Sequence, residues 1–390
     1  MYHAQSIPAI LFLIFGGTAV LATIALYTRQ SLLVAYMLLG AILGPWGIGA
    51  IKDSVLIKQV GDIGIIFLLF LLGINLQPRG LFQSLQKTSW LTAASSIIFL
   101  TVGFAISYLF GLSWKESLMI GITMTFSSTI IGLKLLPTSM LHHRHIGELM
   151  VSILLLQDLI AITVLLIIQS TANSVFSIAE FITIAIAFPI LLLIAYFLQR
   201  YVINKLFDKF NVIHEYIFIL AIGWCLGMSE LAYTIGLSHE IGAFIAGIVL
   251  ASNPITMYVA ESLKPVRDFF LVIFFFTMGA EFNFDYFPEV IWPALALAAA
   301  MLILKPWTFS LLLRNGGEPS KISNEVGVRL GQVSEFSLLV IYLALITNLI
   351  RPEVFYIVQA TTILTFIVSC YWIVMRYPTP LATTAELRRD

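Results

Sequence analysis

The sequence predicts an all-α polytopic membrane protein with thirteen transmembrane helices, arranged as two inverted six-helix repeats with crossed discontinuous helices. Three observations carry that expectation. Of 390 residues, 59% are hydrophobic and only 11% charged, with a mean hydropathy of +0.98; a soluble chain carries about 25% charged residues. The basic residues sort onto alternate connecting loops. Two glycine-centred patterns recur at one sequence offset.

A helix needs about 20 mostly apolar residues to cross the hydrocarbon core. Cutting the chain at charged, Pro- or Gly-containing breaks gives thirteen spans: Ile7–Tyr27, Ser31–Ile48, Val55–Ile74, Ser89–Phe110, Glu116–Leu136, Ile146–Gln169, Ile178–Leu198, His214–Ile235, His239–Ser252, Pro265–Phe282, Val290–Leu313, Ser323–Thr347 and Glu353–Met375. The ninth is short. The first is too long for a signal peptide and lacks a cleavage site after it. Cys225 and Cys370 lie inside apolar runs, which points to neither a disulfide framework nor a metal site. The charges balance at 21 basic and 21 acidic residues, so the total says nothing about partners; no nucleic-acid partner is expected, and the surroundings are membrane lipids.

An odd span count puts the termini on opposite sides. With the N-terminus outside, the inward loops and ends hold Arg29, Arg79, Lys87, Lys134, Arg144, Arg200, Lys205, Lys209, Lys264, Arg267, Arg314, Lys321, Arg376, Arg388 and Arg389. The outward loops hold only Lys52, Lys58, Lys115 and Arg351. Basic residues concentrate in cytoplasmic loops. The C-terminus is therefore expected in the cytoplasm.

Tyr36–Pro45 (YMLLGAILGP) resembles Ala243–Pro254 (AFIAGIVLASNP), which matches Gly40 to Gly247. Phe70–Leu76 (FLLGINL) resembles Phe276–Phe282 (FTMGAEF), which matches Gly73 to Gly279. The offsets are 207 and 206 residues. Seven spans separate the copies, so the second must be inverted, as in many secondary transporters. The membrane transport domain is expected over 1–376, with 7–169 as first repeat, 178–198 as linker helix and 214–375 as second repeat. Residues 377–390 form a short cytoplasmic tail. The offset also relates two unusually polar stretches, Thr125-Phe-Ser-Ser-Thr129 in span five and Gly331-Gln-Val-Ser-Glu-Phe336 in span twelve. Both spans are expected to be broken and to cross, with freed carbonyls and dipole ends facing an ion site. The plainer alternative is that these hydroxyls bond back to their own helix.

Asp158 sits in the middle of an apolar helix, next to Gln157. A charge there costs about 2.5–3.5 kcal/mol on insertion scales, a cost few folds retain without use. A buried carboxylate titrating near neutrality holds a proton or a cation but not both, which is enough for coupled exchange. Otherwise Asp158 closes a helix interface through hydrogen bonds. Thr129, Ser128, Ser127 and Gln157 are expected beside it in the cation- and proton-binding site. Lys305, before Pro306, is expected to pair with Asp158 when no cation is bound; the alternative is snorkelling to the cytoplasmic interface. Thr125, Gln332 and Glu335 are the polar residues of the crossing helices, with Gln332 and Glu335 either lining the cation path or stabilising the break. Arg329 and Glu148 are expected to form a structural ion pair. Glu240 reads as a solvated helix start. The cluster His142-His-Arg-His145 reads as an exposed basic loop, or as a sensor of cytoplasmic pH.

The chain resembles the monovalent cation:proton antiporter-2 family, particularly Kef-type potassium/proton antiporters. The matching stretches are Leu71-Leu-Gly-Ile-Asn-Leu76, Thr125-Phe-Ser-Ser-Thr129, Gln157-Asp158, Gly242-Ala-Phe-Ile-Ala-Gly247, Phe275-Phe-Thr-Met-Gly279, Lys305 and Gly331-Gln-Val-Ser-Glu-Phe336. The resemblance implies the sodium/proton antiporter fold, with a core domain moving against a fixed dimerisation domain in a homodimer. It places the ion-binding aspartate at Asp158, and the Gln-Asp pairing leans toward potassium over sodium. No cofactor is implied; potassium or sodium and protons are the transported ions. Kef-type proteins usually continue into a cytoplasmic nucleotide-binding regulatory domain, and this chain carries no strand-linked G-x-G-x-x-G. The family's acidic regulatory loop is reduced to Glu261, so glutathione regulation is not supported. The expected activity is potassium/proton antiport at the bacterial inner membrane. A sodium/proton antiporter and a gated potassium channel are the rivals. A membrane enzyme is disfavoured, because no nucleophile–base pair or metal-ligand spacing occurs in the spans.

Overall fold

The computed structural model describes residues 7–28, 30, 32–51, 54–75, 78–136, 145–171, 178–210, 213–235, 237, 239–251 and 256–379. His142, His143, Arg144 and most of the tail lie outside them. The described chain is helical almost throughout. The helices are α1 (Ile7–Tyr27), α2 (Leu32–Leu43), α3 (Ser54–Asn75), α4 (Pro78–Leu109), α5 (Trp114–Met124), α6 (Thr129–Lys134), α7 (His145–Thr171) and α8 (Ile178–Leu198). They continue as α9 (Asn204–Phe210), α10 (His214–Thr234), α11 (His239–Leu250), α12 (Thr256–Ala280), α13 (Phe287–Asn315), α14 (Ser320–Arg329), α15 (Glu335–Ile346) and α16 (Pro352–Arg376). A π-helical turn (Gln199–Ile203) joins α8 to α9.

Among the described residues, seven helices are long and apolar enough to cross a membrane. Several of the thirteen sequence spans fall short of that length for a structural reason. Span five is divided into α5 and α6, and span twelve into α14 and α15; α2 and α11 are 12 residues each. Large apolar side chains such as Phe12, Trp90 and Ile303 are exposed by 71–78% of their surface or thereabouts in α1, α4 and α13, as befits helices solvated by lipid.

The chain divides into two compact units, and neither coincides with a sequence half. The first comprises 1–19, 36–82 and 169–281; the second comprises 20–35, 83–168 and 282–390. Each therefore draws on both expected repeats.

In the first unit, α3 packs on α11 and α12, and α11 packs on α8 and α10. Glycines permit the close approach. A Cβ at Gly40 would lie 1.9 Å from the Phe276 carbonyl, and one at Gly279 1.9 Å from that of Met37. A Cβ at Gly247 would lie 2.2 Å from the Phe70 carbonyl and 2.9 Å from the Gly73 Cα. In lipid, where apolar burial drives little association, small residues let backbones meet. Each glycine of one sequence pattern thus packs at a glycine-marked helix of the other.

In the second unit, α13 packs on α14 and α16, and α16 also touches α5 and α15. Pro306 lies inside α13, and Gly327 and Gly331 seat against it: added Cβ atoms would come within 2.5 Å of the Pro306 carbonyl and 2.9 Å of its Cγ. This contact sets the end of α14 beside Lys305. On the other side, Gly103 of α4 and Gly121 of α5 meet, with a Gly103 Cβ only 3.1 Å from the Gly121 Cα.

Candidate cation-binding site

The second unit contains both helix breaks and every candidate residue. In the first break, α5 ends at Met124 and α6 begins at Thr129. The Thr125 hydroxyl bonds back to the Ile122 carbonyl at 2.7 Å, and the Ser128 hydroxyl caps α6 by accepting the Ile131 N–H at 3.1 Å. The break frees backbone groups that the membrane interior cannot hydrate. Gln157 of α7 takes two of them: its Oε1 accepts the Ser127 N–H and its Nε2 donates to the Thr125 carbonyl, both at 3.0 Å.

The second break runs between Arg329 and Glu335. Ser334 caps α15 by accepting the Phe336 N–H at 3.0 Å. The Val333 N–H donates to the Thr365 hydroxyl of α16 at 3.1 Å. Val333 lies 206 residues after Ser127, so corresponding amides of the two breaks are each taken by a side chain of the following long helix. The breaks also touch directly. Gln332 Nε2 donates to the Ser128 carbonyl at 3.3 Å, and Ser337 donates to the Thr123 carbonyl at 2.5 Å. Ser369 holds Gln332 in place by donating to its Oε1 at 2.9 Å.

Lys305 departs from expectation. Its ammonium makes no ion pair with Asp158 and does not snorkel. It is fully buried and donates to the Phe126 carbonyl at 2.5 Å, the Gln332 carbonyl at 3.2 Å and the Ser127 hydroxyl at 3.4 Å. Three donors meet three acceptors, so none is left for the carboxylate. The ring of Phe99 lies 5.3 Å from the ammonium, within cation–π range.

Asp158 is 2% exposed, and its Oδ2 has no hydrogen-bond partner among the described residues. The Thr129 hydroxyl stands within reach of the Asp158 carboxyl, and Glu335 is near enough for its charge to act on Asp158. Buried polar atoms are normally satisfied. A carboxylate oxygen without a strict hydrogen-bond partner, with a hydroxyl oxygen beside it, therefore suits a proton or a dehydrated monovalent cation. The other expected ligands are engaged elsewhere: Ser127 with Lys305, Ser128 as a cap, and Gln157 in the break.

Arg329 is a further correction. It pairs not with Glu148 but with Glu325, one turn away, at 2.9 Å. It also donates to the Leu135 carbonyl at 2.9 Å and the Pro378 carbonyl at 2.8 Å, tying α14 to the end of the first broken helix and to the chain after α16. Glu148 is exposed and lies 3.7 Å from His145. Glu116 and Arg351 pair at 2.7 Å at the starts of α5 and α16. Thr365, Ser369, Ser337 and Phe99 were not among the expected site residues. The first two belong to a polar stripe, Thr361, Thr362, Thr365 and Ser369, whose three-and-four spacing marks one buried helix face.

Residues 10–375 match the family model described as sodium/hydrogen exchanger, transmembrane. The chain belongs to this family. Among curated relatives, the glutathione-regulated potassium-efflux system protein KefC of Escherichia coli (strain K12) is 28% identical over 351 residues, covering 89% of this chain and 56% of that protein. KefC of Enterobacter sp. (strain 638) is 29% identical over 354 residues with the same coverage. The chain spans a little over half the length of these relatives. Among solved structures, the sodium proton antiporter MjNhaP1 from Methanocaldococcus jannaschii at pH 8 superposes with a TM-score of 0.69 at 17% identity, covering 93% of this chain and 94% of that one. That likeness carries the exchanger fold. Family membership and the seven long apolar helices make the chain a multi-pass membrane protein.

Proposed function

We propose that the chain is a secondary active antiporter that exchanges potassium for protons by alternating access, with cation and proton competing for Asp158. The observation that carries this reading is the buried Asp158 Oδ2, without a strict hydrogen-bond partner among the described residues, with the Thr129 hydroxyl within reach of the carboxyl at two adjoining helix breaks. A carboxylate in that position needs a positive partner. Lys305 is occupied by backbone carbonyls, which leaves the partner to be a proton or a transported cation. Gln157, Gln332 and Lys305 keep the breaks open by satisfying their freed groups. Glu335 supplies further negative charge to the site.

The architecture behind this is thirteen spans in two inverted repeats. The offset of 206 carries 36–82 onto 242–288 and 83–168 onto 289–374, so it maps each compact unit largely onto itself. The packing of Gly40 on Phe276 and Ala280, of Gly279 on Met37, and of Gly73 with Gly247 supports the same relation. We place the N-terminus outside and the C-terminus in the cytoplasm of the bacterial inner membrane, and take the protein to be a homodimer.

Potassium is favoured over sodium because the curated relatives are named as potassium-efflux proteins and the site carries Gln157 before Asp158. Reconstitution in liposomes with an internal pH dye tests this, with potassium, sodium or lithium added in turn. Proton movement with potassium alone is expected. Response to sodium alone would move the assignment to a sodium/proton antiporter, and potassium flux without proton movement would make the protein a channel.

A further inference from the structure

Two ion-paired contacts in the second unit stand at related places in the sequence. At the start of α16, Arg351 pairs with Glu116 at the start of α5, at 2.7 Å. At the start of α7, His145 Nε2 meets Glu318 Oε1, just before α14, at 2.8 Å. Arg351 lies 206 residues after His145, and Glu318 lies one helical turn short of the counterpart of Glu116. Each contact joins the start of the long helix following one break to the start of the opposite broken helix. The difference between them is chemical. A guanidinium keeps its charge at every physiological pH, whereas an imidazole gains or loses its charge between about pH 5 and 8.

We infer that His145 and Glu318 form a pH-sensitive clamp between α7 and α14, the titratable counterpart of the fixed Arg351–Glu116 clamp. This inference rests on the reading of Asp158 on α7 as the exchange site. The charge distribution puts His145 on the cytoplasmic side, thirteen residues before Asp158. The charged groups facing it among the described residues are Glu318, from the loop before α14, and Glu148, from its own helix at 3.7 Å from Nδ1. At acidic cytoplasmic pH the imidazolium pairs with both carboxylates and holds the inner end of α7 against α14. At alkaline pH the charge is lost, the contact weakens to a neutral hydrogen bond, and α7 can yield to admit a cytoplasmic cation. His145 is thus a positioning residue, acting on the site through its helix. The contact is half-exposed, so its effect is modest: a partly solvated pair shifts an equilibrium by about two- to five-fold.

Everted membrane vesicles expose the cytoplasmic face to the buffer, so exchange can be followed against external pH for wild type, His145→Gln, His145→Arg and Glu318→Gln. His145→Gln and Glu318→Gln are expected to exchange about two- to five-fold faster than wild type near pH 6 and to converge with it above pH 8. His145→Arg, which makes the inner clamp permanent like the outer one, is expected to be slower than wild type at pH 8 by a similar factor. Adding Glu318→Gln to it should remove that slowing. Superimposable pH profiles in all variants would overturn the clamp while leaving exchange at Asp158 intact. Absence of exchange in wild type would instead count against the proposed function.

Discussion

The ammonium of Lys305 lies 2.5 Å from the carbonyl of Phe126, in the break between α5 and α6, and the same ammonium reaches the Gln332 carbonyl of the other break at 3.2 Å. One cation on α13 therefore satisfies both interrupted helices at once. Replacing Lys305 by Met keeps the length but removes every donor. Each buried acceptor left without a partner costs about 1–3 kcal/mol. Lys305→Met should accordingly lower the unfolding temperature in detergent by several degrees, and an unchanged midpoint would mean that the carbonyls find other partners.

The same geometry bears on stoichiometry. In the proposed mechanism, cation binding at Asp158 displaces the proton of Asp158 and leaves Lys305 with its carbonyls. Exchange is then one for one and carries no net charge. Currents recorded from proteoliposomes on a solid-supported membrane should be near background while the pH dye reports full exchange. A sustained current would show that a second group, with Lys305 the foremost candidate, changes charge in the cycle.

Gln157 answers two backbone groups of the first break, the Ser127 N–H and the Thr125 carbonyl. Gln157→Leu leaves both open next to Asp158. Exchange should fall at least ten-fold, and Gln157→Glu, which preserves the acceptor for Ser127, should retain more activity than Leu. Equal activity of the two variants would remove Gln157 from the role assigned to it.

Arg329 is fully buried and anchored by Glu325. Removing one partner of a buried pair costs about 3–5 kcal/mol, because the other charge remains. Arg329→Met should be strongly destabilised, and adding Glu325→Leu should recover part of the loss. No recovery in the double variant would place the main contribution of Arg329 in its bonds to the Leu135 and Pro378 carbonyls.

The helix breaks of the candidate site are legible in the sequence, for identifiable reasons. Asp158 stands out because a carboxylate in an apolar run violates the partitioning that governs its neighbours. The breaks were marked by polar stretches that fall together under an offset set by glycines elsewhere. The glycine pattern itself reflects backbone contact, as at Gly73 and Gly247. What could not be read was which distant groups meet. The sequence pairs Lys305 with Asp158, whereas the stronger demand comes from carbonyls freed by the breaks. It pairs Arg329 with Glu148, although Glu325 lies one helical turn away on its own helix. The division into two units was also hidden, because each unit interleaves segments from both sequence halves.

The central claim is that one carboxylate holds either the proton or the cation. Its most direct test is the apparent KM for potassium as a function of pH in proteoliposomes. Competition at Asp158 predicts that KM rises about ten-fold for each unit of acidification below the titration point of the site, with the maximal rate changed by no more than the roughly two- to five-fold of the His145 clamp, and that Asp158→Asn shows no exchange at any pH. A KM independent of pH, or exchange retained by Asp158→Asn, would contradict it.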